Sequence, residues 1–261
     1  MQAQTIDEVI SQLRAIVADA IATNSRAGYF AALYLKVTMR VKEGIQAGEF
    51  ENGARMELFD VTFANRYLAA HQQWINKQEP SASWKLAFEM LERSSVLVLQ
   101  HLMLGMNAHI NLDLGIAVVE LSKTENQPLD KLHQDFNNIN TILSALTYQV
   151  ISELNQISPL LSLAGLHSQN DSLFIQFAMG NARDGAWCFA EELANKQGEA
   201  YAACINQRDA DMAKLGNGIV DTKGLLKLTM FIIHLFEMKN PAKITGILNT
   251  YQKTYLTVNK S

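Results

Sequence analysis

Residues 95–121 carry Val96, Leu97, Val98, Leu99, Leu102, Met103, Leu104, Ile110, Leu112, Leu114 and Ile116, apolar side chains that go all the way round a helix instead of down one face. A helix without a solvated side has to be enclosed by others, so the chain is expected to build a bundle around this segment. The rest of the sequence agrees. Ile6, Val9, Ile10, Leu13, Ile16 and Val17 recur three and four apart behind Thr5, a good N-cap, and predict a first helix over 6–22. Ser25 can cap a second over 26–47, closed by Gly48 at the left-handed C′ position. Gly53 opens a third to residue 76, and a fourth covers 84–93 after the break at Pro80. Beyond the apolar segment, helices are expected over 128–157, with Pro128 in the first turn and Ser158-Pro159 as the stop, and over 171–195. Three more follow at 199–215, 222–238 and 241–256. Nowhere does period-two alternation last long enough for a strand, so the class is all-α: one domain over 1–261, a bundle of about ten helices.

The composition bounds the function classes. With 48% apolar and 18% charged residues, 14 Gly and 4 Pro, the chain is neither collagenous nor low-complexity nor a disulfide scaffold. Its 22 Lys plus Arg against 26 Asp plus Glu give a net charge of −4 without runs of one sign, which argues against nucleic acid as a partner. Cys188 and Cys204 are too far apart for a metal or redox motif and read as reduced core thiols. The N-terminus has Asp7 and Glu8 where a secretory signal needs a basic and then an apolar region, so a cytoplasmic protein is expected. The most apolar runs, 96–104 and 225–235, fall short of the roughly 20 residues of a membrane span, and none is expected.

Polar residues inside the apolar segment mark the candidate site. At 100° per residue Gln100, Asn107 and Asn111 fall on one stripe, and His101, Gly105, His109 and Asp113 on a second, with Gly105 leaving space in the row. A carboxylate buried beside imidazoles needs a metal, a cation or a hydrogen-bonded network. His109 and Asp113 are one turn apart, about 6 Å, and can share one ion. His101, about 12 Å further back, suits a second ion, a substrate or a general base. Further metal ligands would come from Asp60, His71 or Asp135, each a polar group within an apolar helical pattern.

Other groups carry weaker signals. Arg183 and Trp187 are an i,i+4 pair in which the arginine either clamps an anionic group or pairs with a core carboxylate such as Asp60. Asp130 and His133 have half of a di-iron spacing, yet in a first helical turn they read as a solvated cap. There is no Glu-x-x-His or His-Glu-x-x-His motif. Ser158 and His167 lack a nucleophile elbow, and the 10 Met read as core filler.

The runs Phe63-Ala64-Asn65-Arg66-Tyr67-Leu68, Gln100-His101-Leu102-Met103-Leu104-Gly105-Met106-Asn107-Ala108-His109-Ile110-Asn111-Leu112-Asp113-Leu114, and Asp135-Phe136 with Ile139-Asn140 resemble an uncharacterised bacterial family, domain of unknown function 5995. The likeness covers about 29–187 and implies no reaction. More loosely, Gly105, His109 and Asp113 are similar to part of the all-helical zinc-dependent phospholipase C pattern. This chain departs from it in having six His and no tryptophan ligand at its N-terminus.

Two functions follow as expectations. The first is an intracellular metal-dependent enzyme, hydrolytic in type, in which His109, Asp113, Asp60 and Asp135 hold zinc, manganese or iron. His101 would serve as base and Arg183 would receive an anionic part of a small-molecule substrate, with no organic cofactor. The second is a non-catalytic helical module with a buried polar network or a small-ligand pocket. Convergence of these residues on one solvent-reached cavity favours the first; closure of each by its own partner favours the second.

Overall fold

The Thr5 hydroxyl accepts from the Glu8 N–H and starts α1 (Ile6–Ala22), as its sequence predicts. A computed structural model of the chain describes residues 2–164 and 171–250, leaving aside the side chains of 135, 140–142, 144, 145, 164 and 171–179. Gly48 takes the left-handed conformation, φ 71°, that ends α2 (Gly28–Ala47). Asn52 caps α3 (Gly53–Ile75) through the Arg55 N–H. Next come α4 (Ala82–Met90) and α5 (Val98–Ala108). The fold is all-α, without a strand among the described residues.

The apolar segment does not remain one α-helix. After α5 it continues as a π-helical turn, His109–Leu114, and then as α6 (Gly115–Glu125), which Asn126 stops at φ 49°. By length and composition Val98–Glu125 could cross a membrane, but 78% of its most apolar window is buried inside the protein. It is the centre of the bundle, and α2, α3, α4, α8 (Asp171–Ala194) and α9 (Gly198–Val220) pack around it.

Helix α7 (His133–Ile157) ends where expected but starts late. Pro128 has an extended backbone, ψ 151°, and leads into a short 3-10 turn, Leu129–Lys131, so the proline precedes the helix instead of entering it. Helices α10 (Gly224–Phe236) and α11 (Pro241–Leu248) complete the described chain, the latter capped by Asn240 with Pro241 in its first turn. The expected extension of the last helix to 256 runs outside the described residues. The cysteines are free, but the reading of both as core thiols is corrected: Cys188 is exposed and Cys204 half-buried. Asp130 and His133 are exposed, but neither caps a helix: Pro128 and Leu132 hold the N-cap positions, without a side-chain cap bond.

The first polar stripe holds helices together. Gln100 donates to the Ile219 carbonyl at 2.8 Å and accepts from the Leu97 N–H, while Asn107 donates to the Met212 carbonyl at 2.7 Å. Asn111 bonds Asn107, and the Asn111 carbonyl, within the π turn, accepts from Arg208. These bonds seat α9 on the central helix.

Candidate functional site

Phe30 of α2 divides the second stripe. A Cβ on Gly105 would overlap its ring, so the space left by the glycine is filled, and the ring meets His109 edge-on at 5.7 Å. His101 therefore stands apart from His109. It is buried against Tyr29, ring centroids 5.7 Å apart, with both ring nitrogens unpartnered. Burial and the nearby Arg26 cation pull its pKa down to about 4, so the ring is neutral at physiological pH.

His109 and Asp113 do share a face, yet the pair is closed by other residues. Asp113 accepts from Arg66 Nε at 2.9 Å and from Trp84 Nε1 at 2.7 Å. His109 Nδ1 is 3.8 Å from Asp113 Oδ2, too far for a hydrogen bond, and both of its ring nitrogens lack a partner. Its ring lies flat on Phe63, centroids 3.6 Å apart, and Tyr34 meets it edge-on at 4.4 Å. Burial dominates the His109 pKa and lowers it despite the carboxylate. For Asp113, burial pushes upward, but His109, Arg66 and the Trp84 N–H outweigh it and hold the carboxyl below its usual range. Arg66, Trp84, Phe63 and Tyr34 were not among the residues expected at the site, although Phe63 and Arg66 lie in one of the runs that carry the family resemblance.

Asp60 and Arg183 do not pair. Asp60 is 5% exposed, its Oδ2 has no partner, and burial with the neighbouring Glu57 charge raises its pKa to about 7. Arg183 lies over the ring of Phe136, 4.2 Å from its centroid, and donates to the Phe136 carbonyl, while its Nε is unpartnered. Trp187 packs against the rings of His133 and Phe136, at 4.5 and 5.0 Å, in place of the arginine. Burial lowers the guanidinium to about 10, still a cation at neutral pH. His71 packs edge-on against Phe88. Asp135 belongs to α7, but its side chain lies outside the described residues, as does His167 entirely. Ser158 donates to the buried Glu237 at 2.5 Å and ends α7. Among the described residues no three His, Cys, Asp or Glu side chains gather closely enough to hold a metal ion.

What does bring the sequence-predicted residues together is a cavity of about 410 Å³. Tyr34, Asp60, His109 and Arg183 line it, and so do Asn107, Asn111 and Thr147; His101, His71 and Asp113 do not. The remaining wall is apolar: Phe59 and Phe63 of α3, Leu102 and Met103 of α5, Leu143, Leu146, Val150 and Leu154 of α7, Leu215 and Ile219 of α9. Met103 and Leu215 are 39% and 50% exposed, so the cavity reaches the surface beside them. A volume in this range is that of a small-molecule site.

The arrangement is thus an all-helical protein with an apolar internal chamber and a few unpartnered polar groups in its wall. Residues 6–222 match the family of unknown function DUF5995, and the chain belongs to that family. The looser likeness to zinc-dependent phospholipase C finds no support in the comparisons. No curated protein and no solved structure matches the chain.

Proposed function

We propose that the protein binds an amphipathic small molecule, whose apolar body fills the cavity and whose polar end meets Tyr34, Asp60, His109 and Arg183. One observation carries this reading. Of the buried polar atoms without a hydrogen-bond partner, the Tyr34 hydroxyl, Asp60 Oδ2, both His109 nitrogens and Arg183 Nε all belong to residues of this one apolar wall, each atom covered by its neighbours so that a ligand meets it once the side chain turns toward the cavity. Buried polar groups are ordinarily satisfied, each orphan costing about 1–3 kcal/mol. Water is a poor filler of a cavity whose wall is mostly hydrocarbon and gives it few hydrogen-bond partners. A ligand with a hydrogen-bonding head and an apolar body meets both demands.

Native mass spectrometry of the purified protein, followed by organic extraction, tests this. A bound small molecule is expected, and Leu146→Trp, which fills the chamber from α7, should release it while the chain stays folded. An empty wild-type protein that takes up no amphiphile would overturn the reading.

Metal-dependent hydrolysis is the second reading, supported by the free nitrogens of His109 beside Asp113. Elemental analysis of the untagged protein and of Asp113→Asn decides it: near-stoichiometric metal lost in the variant favours it, and no metal in either after adding zinc, manganese or iron removes it.

A further inference from the structure

Helix α10 turns its apolar side outward. Leu225, Leu228, Phe231, Ile232, Leu235 and Phe236 are all exposed, Leu225 at 80% and Phe236 at 63%. On a helical wheel they fill an arc of about 140°, in which the only other residue is Gly224. The opposite side holds the buried Ile233 and, in the first turn, Leu226 at 45% exposed. A single exposed leucine needs no explanation, but a contiguous stripe free of polar residues does.

Charge says what covers it. Lys223, Lys227, Lys239 and Lys243 flank the stripe in sequence and are exposed, against Asp221 as the one exposed carboxylate between 221 and 243. Glu237 is buried, held by Ser158 and the Val98 N–H. This local excess of cations occurs on a chain of net charge −4. An apolar helical face bordered by lysines is the chemistry of an anionic lipid surface. The helix has 13 residues, about 20 Å at 1.5 Å each, too short for a hydrocarbon core of about 30 Å. It fits lying in the interface and not across the bilayer.

We propose that α10 seats the protein on an anionic bilayer through this stripe. Both ends of α10 are tied to the walls of the cavity. Its first turn follows closely on Ile219, which lines the chamber, while at its other end Glu237 holds the N-terminus of α5 and the Met238 N–H bonds the Ile157 carbonyl at the end of α7. Docking would therefore bring the chamber to the membrane, so the cavity ligand would be a lipid or other amphiphile drawn from it; this last clause rests on the ligand-binding reading, the docking itself does not.

The test is sedimentation of the full chain with phosphatidylcholine vesicles, with and without phosphatidylglycerol. The wild type should pellet with the anionic vesicles. Leu228→Glu with Phe231→Glu, both on the exposed side, should weaken partitioning by more than about tenfold, and Lys223→Glu with Lys227→Glu by roughly tenfold or more. Circular dichroism of the same variants should show the fold intact. Vesicle binding by a protein with an empty chamber supports the docking and overturns only the cavity reading. Absence of pelleting, or equal pelleting with both vesicle types, overturns the proposal. So does self-association without lipid that Leu228→Glu with Phe231→Glu abolishes, since a second copy of the chain would then be the occupant.

Discussion

Asp60 and Asp113 are buried carboxyls whose surroundings push them in opposite directions. Asp60 titrates near 7 in the folded protein against 3.8 when exposed, so its contribution to stability is complete below the exposed value and is lost as pH rises through about 7. Asp60→Asn should accordingly match the wild type near pH 4 and exceed it by a few kcal/mol near pH 8, since each tenfold change in proton affinity on folding is worth about 1.4 kcal/mol. Denaturant melts across that range measure it, and parallel curves for the two proteins would remove Asp60 as the cause. Asp113 is held below its usual value. Its contribution is present above the exposed carboxylate value and disappears as pH falls through the folded one. Asp113→Asn should lower stability by about 2 kcal/mol at neutral pH, and it should flatten the acid limb of the stability profile. The i,i+4 spacing made the His109 and Asp113 pair legible in the sequence. Arg66 and Trp84 were not, because they reach Asp113 from 47 and 29 residues away, and no local period encodes such a meeting.

The elements themselves were largely legible, since caps and periodicity are local. Thr5, Gly48, and Ser158 with Pro159 delimit helices close to where their chemistry says. The π turn was not legible. A wheel drawn at 100° assumes an α-helix throughout, and His109–Leu114 winds more widely, so residues beyond it no longer keep the angles such a wheel assigns them. Gly105 illustrates the same limit: its lack of a side chain could be read, but not that the Phe30 ring would occupy the place. Gly105→Ala should cost about 1–3 kcal/mol through overpacking, seen as a lower denaturation midpoint with an unchanged slope. A neutral substitution would mean that Phe30 moves aside freely. Because Phe30 also touches His109, the variant should shift the His109 imidazole signals by NMR.

Across the molecule, α2 and α7 are joined by a buried ion pair that no sequence pattern announces. Lys36 Nζ lies 2.6 Å from Glu153 Oε1 with the lysine 2% exposed, and Gln149 also donates to the carboxylate. Burial draws each partner toward its neutral form, and each holds the other charged. Lys36→Met alone should cost about 3–5 kcal/mol, because Glu153 stays buried without its cation, and adding Glu153→Met should recover most of that. Additive losses in the double-mutant cycle would show that the two side chains act independently. The chamber was beyond sequence reading for a related reason: it is the space left among α2, α3, α5, α7, α8 and α9, a property of their joint placement and not of any segment. The seam between the central helix and α9 has a consequence for inheritance. Gln100 and Asn107 grip α9 by the carbonyl oxygens of Ile219 and Met212, atoms that every amino acid supplies. That grip is blind to the side chains at 212 and 219, which can drift over generations while α9 stays put; what has to be inherited are the amides on the central helix and, on α9, the few side chains that act by themselves, Arg208 on the Asn111 carbonyl and Asp209 on the start of α4.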